Sequence, residues 1–175
     1  MRKHSFIAGE FYHIYAHSTA DLNIFSQISD YKRFMSLIFC ANGTKPIPRL
    51  ERVDDGLSLA WDITSNKVDI GDALVDIICF ALMPTHIHLL LREIRDDKGV
   101  SMYMHKLFTS HAKYFNLKYK RRGRLFESVF QSRYIDSNRY LLHVSKYIHR
   151  NPEKILKYRN DYINYPWSSC QDFIG

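Results

Sequence analysis

Leu82-Met83-Pro84-Thr85-His86-Ile87-His88-Leu89-Leu90-Leu91 decides how the rest of the chain is read. An apolar run from Ile77 to Met83 enters it, Pro84-Thr85 breaks it, and a second apolar run leaves it. Two apolar, β-branched segments joined by so short a connection read as a β-hairpin, with strands over 72–83 and 86–92. Side chains alternate faces along a strand, so His86 and His88 point one way and Ile87 the other. Two neutral imidazoles side by side on a rigid strand form half of a metal site. A bare His-x-His also arises by chance on a sheet face, so the pair needs support from elsewhere in the chain.

Upstream, residues 6–17 read as a strand in which Phe11, His13 and Tyr15 alternate with Tyr12, Ile14 and Ala16. Asp30 is placed to cap a helix over 31–41, whose Phe34, Leu37 and Ile38 make one buried face and which Asn42-Gly43 stops. Residues 43–71 are broken by Pro46, Pro48 and Gly56, with a short strand expected at 57–63. The whole stretch reads as an insertion in a single domain spanning 1–175, since about 30 residues is too few for a core of its own. Downstream, a helix is expected over 101–120 with Met104, Leu107, Phe108, His111, Ala112 and Phe115 as its inner stripe. A strand over 126–135 follows, then a helix over 138–150 capped within Asp136-Ser137-Asn138 and ended by Pro152. Because the central strands form a hairpin, the expected fold is α+β: an antiparallel sheet with helices packed on one face, a ferredoxin-like sandwich.

Composition narrows the function classes. The 175 residues are 46% hydrophobic and 14% aromatic, which fits a folded domain and not a disordered chain. Cys40, Cys79 and Cys170 are odd in number and widely spaced, so neither a zinc ribbon nor a disulfide framework is indicated. No apolar run reaches bilayer length and the N-terminus lacks a signal-peptide core, so a cytoplasmic protein without membrane contact is expected. The formal charge of +7 is concentrated where it matters. Lys118 to Arg124 holds five cations in seven positions, and Lys106 and Lys113 extend the cluster. Such local concentration points to a polyanion. Tyr114, Phe115, Tyr119 and Phe126 are interleaved with it and are candidates to stack on unpaired bases.

A second motif, His143-Val144-Ser145-Lys146-Tyr147-Ile148-His149-Arg150-Asn151-Pro152, lies on the last long helix. His143, Tyr147 and Asn151 are spaced four apart and share a face. Met83 to Leu91, Tyr147 to Pro152 and Pro166-Trp167-Ser168-Ser169 together resemble the REP-associated tyrosine transposases. These are single-tyrosine, IS200-like enzymes of the His-hydrophobic-His superfamily. Tyr114-Phe115-Asn116, Gly123-Arg124-Leu125-Phe126 and Phe130-Gln131-Ser132-Arg133-Tyr134 fit the same pattern. The resemblance covers nearly the whole chain outside 43–71. It implies that His86, His88 and Asn151 hold a divalent metal, Mg or Mn, and that Tyr147 is the nucleophile. Thr85 departs from the family, which more often has Asn before the first histidine.

The implied chemistry is coherent. A phenol is a weak nucleophile near neutral pH, and a metal beside the phosphate supplies charge stabilisation. Attack by Tyr147 would leave a 5′-phosphotyrosine and a free 3′-OH, conserving bond energy for strand joining. The expected partner is single-stranded DNA bearing hairpins, contacted by Lys113, Lys118, Lys120, Arg121, Arg122, Arg124, Arg133 and Arg150. By the same resemblance the protein would act on the nucleoid, as a monomer or a homodimer. Two alternatives stand beside it. One is a domesticated, non-catalytic nucleic-acid-binding module of the same fold. The other is a histidine-triad nucleotide hydrolase, disfavoured because Leu90 stands where a third alternating histidine is needed.

Overall fold

The computed structural model describes residues 5–47, 62–63, 65, 67–96 and 98–175. Its main elements are β1 (Phe11–His17), α1 (Ile28–Cys40), β2 (Val75–Leu82), β3 (His86–Glu93), α2 (Gly99–Lys118), β4 (Gln131–Ile135), α3 (Asn138–Arg150) and a short terminal α4 (Cys170–Ile174). The strands form one antiparallel sheet in the order β2-β3-β1-β4. With α1 between β1 and β2 and α2 between β3 and β4, this is the ferredoxin-like sandwich read from the sequence. The strand expected at 57–63 falls outside the described residues except for Asp62 and Ile63, which are helical.

Strand alternation assigns the two faces. Tyr12, Ile14, Ala16, Ile87, Leu89 and Leu91 point to one side, where α1 contributes Phe34, Leu37 and Ile38 and α2 contributes Val100, Tyr103, Met104, Leu107 and Phe115. This is the main core. The opposite side carries a smaller apolar cluster of Cys79, Ala81, Leu90 and Ile135 under Val144 and Ile148 of α3. The expectation that helices cover one face is therefore corrected: α1 and α2 cover one, and α3 lies on the other. The sequence shows that α3 is amphipathic but not which side of the sheet receives it. A bulge between Ile77 and Cys79 sets that contact, since the extra residue shifts the register with β3 and turns Cys79 and Ala81 towards α3.

Helix ends are fixed by buried carboxylates. Asp30 sits in the first turn of α1 instead of at its cap, accepting the amides of Ser26 and Gln27 at 2.9 Å each. Glu93 accepts the Val100 amide at 2.9 Å and the Arg95 amide at 2.8 Å, so it caps α2 from the end of β3. Gly99 is required there, because a Cβ would lie 2.0 Å from the Leu74 carbonyl oxygen and 2.3 Å from Glu93 Oε1. Ser137 caps α3 by accepting the Tyr140 amide, as its position in the sequence predicts. The C-terminal stretch runs along the outer edge of β2: the Leu82 amide donates to Trp167 and the Ser169 amide to Phe80. Trp167 stacks on Tyr31 at 4.7 Å.

Candidate functional site

The α3 side of the sheet is only partly covered by apolar side chains. Beyond Leu90 the outward positions are His88 and His86 on β3, Tyr15, His13 and His17 on β1, and Arg133 on β4. In register, His17 pairs with His86, Tyr15 with His88, and Arg133 with His13. Helix α3 crosses this face with Tyr140, His143, Val144 and Tyr147 directed at it. Together with Lys154 these residues enclose a cavity of about 400 Å³.

Within it, His86 and His88 have ring centroids 5.2 Å apart and nearly perpendicular planes, so they share a face as their spacing predicts. The Tyr147 ring lies 5.7 Å from His88 and 6.0 Å from His13. Tyr147 is 44% exposed, on a wall shared with a second cavity bounded by His143, Lys146, Arg150, Asn151, Glu153 and Lys154. Asn151 is buried one turn further on. It donates from Nδ2 to the Tyr147 carbonyl at 2.9 Å, accepts from Lys154 Nζ at 3.0 Å, and hydrogen-bonds His86. Thr85 Oγ1 lies 3.2 Å from His86 Nδ1, so the departure at that position still touches the first histidine.

The imidazoles are held neutral. Burial, with the neighbouring cations and histidines, lowers His88 to about 2 and His86 to about 4. Burial and the Arg133 charge lower His13 to about 4. Neutral nitrogen is the form that binds metal. Among the described residues, however, no three His, Cys, Asp or Glu side chains converge to hold an ion. Among the described residues, Asn151 and Thr85 are the side chains with an oxygen that hydrogen-bond His86, so the amide oxygen of Asn151 is a candidate third ligand. The donor set of two imidazoles and one amide carries no charge. Such a set is of the kind a divalent ion accepts.

The other residues read from the sequence are scattered more widely. Arg133 lies in the cavity, where its guanidinium bonds Tyr15 and Tyr140. Arg150 is on the outer rim, paired with Glu153 at 2.9 Å. Lys113 is exposed on α2, behind the sheet. Lys118 turns inward, 2.6 Å from Asp30, and also donates to Tyr114 and Ser29. Arg121 donates to Asn116, while Lys120, Arg122 and Arg124 remain exposed on the loop after α2. That loop returns to the cavity end of β1, where the Thr19 amide donates to Leu125 and Ser18 bridges to Phe126. The expectation that aromatics here stack on bases is corrected. Phe115 and Phe126 are buried in the main core, and the Tyr114 and Tyr119 hydroxyls donate to Asp30 at 2.8 and 2.7 Å.

Sequence reading missed His13, Tyr15, His17 and Lys154. The first three carried a usable signal: His13-x-Tyr15-x-His17 has the same alternation as His86-x-His88, on a neighbouring strand. Lys154 carried none, because only the turn after α3 brings it over the Tyr147 ring. Two other buried histidines, His111 and His149, are structural. His111 bonds the Ile24 carbonyl on the opposite face, and His149 bonds Ser169.

The family model described as "Transposase IS200 like" matches residues 67–151, the segment from just before β2 to the end of α3. No curated protein matches the chain. Among solved structures, a REP-associated tyrosine transposase bound to a REP hairpin superposes with a TM-score of 0.65 at 14% identity, covering 99% of this chain and 84% of that one. With the hairpin histidines, the α3 tyrosine and the sheet order in place, the chain is similar to the IS200-like, REP-associated tyrosine transposases in sequence pattern over 67–151 and in fold over nearly its whole length.

Proposed function

We propose that the protein is a metal-dependent single-stranded DNA endonuclease and strand transferase of the transposase kind. The observation that carries this reading is the placement of Tyr147 in the same cavity as His86 and His88, its ring 5.7 Å from His88 within one chain. The solved structure of similar fold is bound to a REP hairpin, which supports hairpin-bearing DNA as the substrate assigned here.

His86, His88 and Asn151 would hold the ion, Mg or Mn, which supplies charge stabilisation and orientation for the scissile phosphate when bound. Tyr147 then forms a bond from its phenolic oxygen to phosphorus, and the 3′ oxygen departs. The phenol gives up one proton and the 3′ oxygen gains one, so a free 3′-OH faces a 5′-phosphotyrosine. Arg133 and Lys154 flank the cavity from β4 and from the turn after α3, and both meet a phosphate with fixed positive charge. Arg150, Lys113, Lys120, Arg121, Arg122 and Arg124 are assigned to flanking DNA, with the loop cations Lys120, Arg122 and Arg124 the best placed, while Lys118 is withdrawn from that role by its ion pair with Asp30. The protein acts as one catalytic domain over 1–175, with 43–71 inserted, in the cytoplasm at the nucleoid. No helix among the described residues is long and apolar enough to cross a membrane. A homodimer is possible, and Tyr147 shares a cavity with the histidines of its own chain, which supports action within one protomer.

End-labelled single-stranded DNA carrying a hairpin, incubated with protein and Mn²⁺ and run on a denaturing gel, tests the reading. A covalent protein–DNA adduct is expected that is absent in Tyr147→Phe and in His86→Ala. An adduct that survives Tyr147→Phe removes the nucleophile assignment. Binding without an adduct across many hairpins would establish the non-catalytic module instead.

A further inference from the structure

His13 and His88 form a buried diagonal pair across β1 and β3. His13 Nε2 lies 2.9 Å from His88 Nδ1, with the rings 5.1 Å apart and 27° from parallel. His13 is 6% exposed and His88 4%, so water does not compete for this contact. Two neutral imidazoles joined nitrogen to nitrogen have one proton between those two atoms. Whichever ring holds it, the tautomers of both rings are set together. His88 Nδ1 is engaged in the pair, and Nε2 is the nitrogen left for the cavity that His88 lines.

We propose that His13 is a positioning residue for His88: its Nε2 accepts the Nδ1–H of His88, fixing that ring and leaving His88 Nε2 bare towards the cavity. The direction of the proton rests on the metal reading above, since a donating His13 would leave His88 with Nε2–H and no lone pair to offer. A parallel support exists for the second histidine, because His17 stacks on His86 at 4.9 Å and 22°. Strand β1 therefore backs both histidines of β3. Residues that orient a ligand through its second ring nitrogen are the usual partners of metal-bound histidine.

Long-range ¹H–¹⁵N spectra of the full-length, ¹⁵N-labelled protein without metal read the tautomer directly. His88 is expected as Nδ1–H in the wild type, mixed or Nε2–H in His13→Phe, and Nδ1–H again in His13→Gln, whose amide oxygen replaces the acceptor. Mn²⁺ affinity followed by electron paramagnetic resonance is expected to fall about 10-fold or more in His13→Phe and to stay within about 3-fold in His13→Gln. His88 found as Nε2–H in the wild type overturns the proposal whatever the variants do. So does a His13→Phe protein with unchanged tautomer and unchanged Mn²⁺ affinity. Wild-type protein that binds no Mn²⁺ while its His88 tautomer follows His13 as expected would remove the metal reading and leave the positioning role standing.

Discussion

The two faces of one sheet use the same strands in opposite ways. On the α1–α2 side, Ile14, Ile87 and Leu89 are fully buried in a continuous apolar core. On the α3 side, their immediate neighbours His13, Tyr15, His86 and His88 line a cavity. Among the described residues, the buried histidine on the first side is His111, fully buried and bonded to a backbone carbonyl. On the second, histidines meet one another and a tyrosine. The apolar face supplies stability, and it thereby allows the polar face to remain incompletely packed and available to a ligand.

This contrast can be broken by substitution. The largest effect is expected at Asp30, completely buried between α1 and α2. Burial opposes its charge, but bonds from Lys118, Tyr119, the Gln27 amide and Tyr114 outweigh this and hold the carboxyl below its usual range. Asp30→Ala strands Lys118 and should cost about 3–5 kcal/mol in urea unfolding. Leu89→Ala, on the apolar face, should cost about 2–5 kcal/mol by the same measurement.

Acidification should weaken the fold through the cavity face. The folded pKa of His13 is depressed to about 4 from 6.5. The unfolded chain therefore takes up a proton first, so stability present above pH 6.5 is lost as pH falls towards 4. His13 alone accounts for about 3 kcal/mol of this at most. Urea midpoints across that range, compared with His13→Gln, check it; an equal slope in the variant would remove His13 from the account. At the small end, Tyr147→Phe should shift unfolding by less than about 0.5 kcal/mol, because the ring is 44% exposed. It should nevertheless abolish the DNA adduct. Loss of stability in Tyr147→Phe comparable to Leu89→Ala would mean that the two faces do not divide the work.

Much of this was legible in the chain. The hairpin at 75–93, the α3 boundaries and the shared face of His86 and His88 follow from alternation, proline and caps. These are local effects. Asp30 was recognised as a helix-start signal, yet its bonds to Lys118, Tyr114 and Tyr119 span more than eighty residues and drew three members of the basic, aromatic segment inward. Composition counts those residues as available to nucleic acid; packing decides otherwise.

The sequence by itself determined which side chains share a face, because a strand's two-residue period and a helix's four-residue neighbours need no knowledge of the rest of the fold. It also marked His86, His88, Tyr147 and Asn151 by their resemblance to a known pattern. Only the tertiary structure decided that β1 lies beside β3, so that His13 meets His88 and His17 meets His86, and that α3 crosses this face instead of joining α1 and α2 on the other. Strand order and helix placement depend on contacts between residues far apart in the chain, and no local periodicity encodes them.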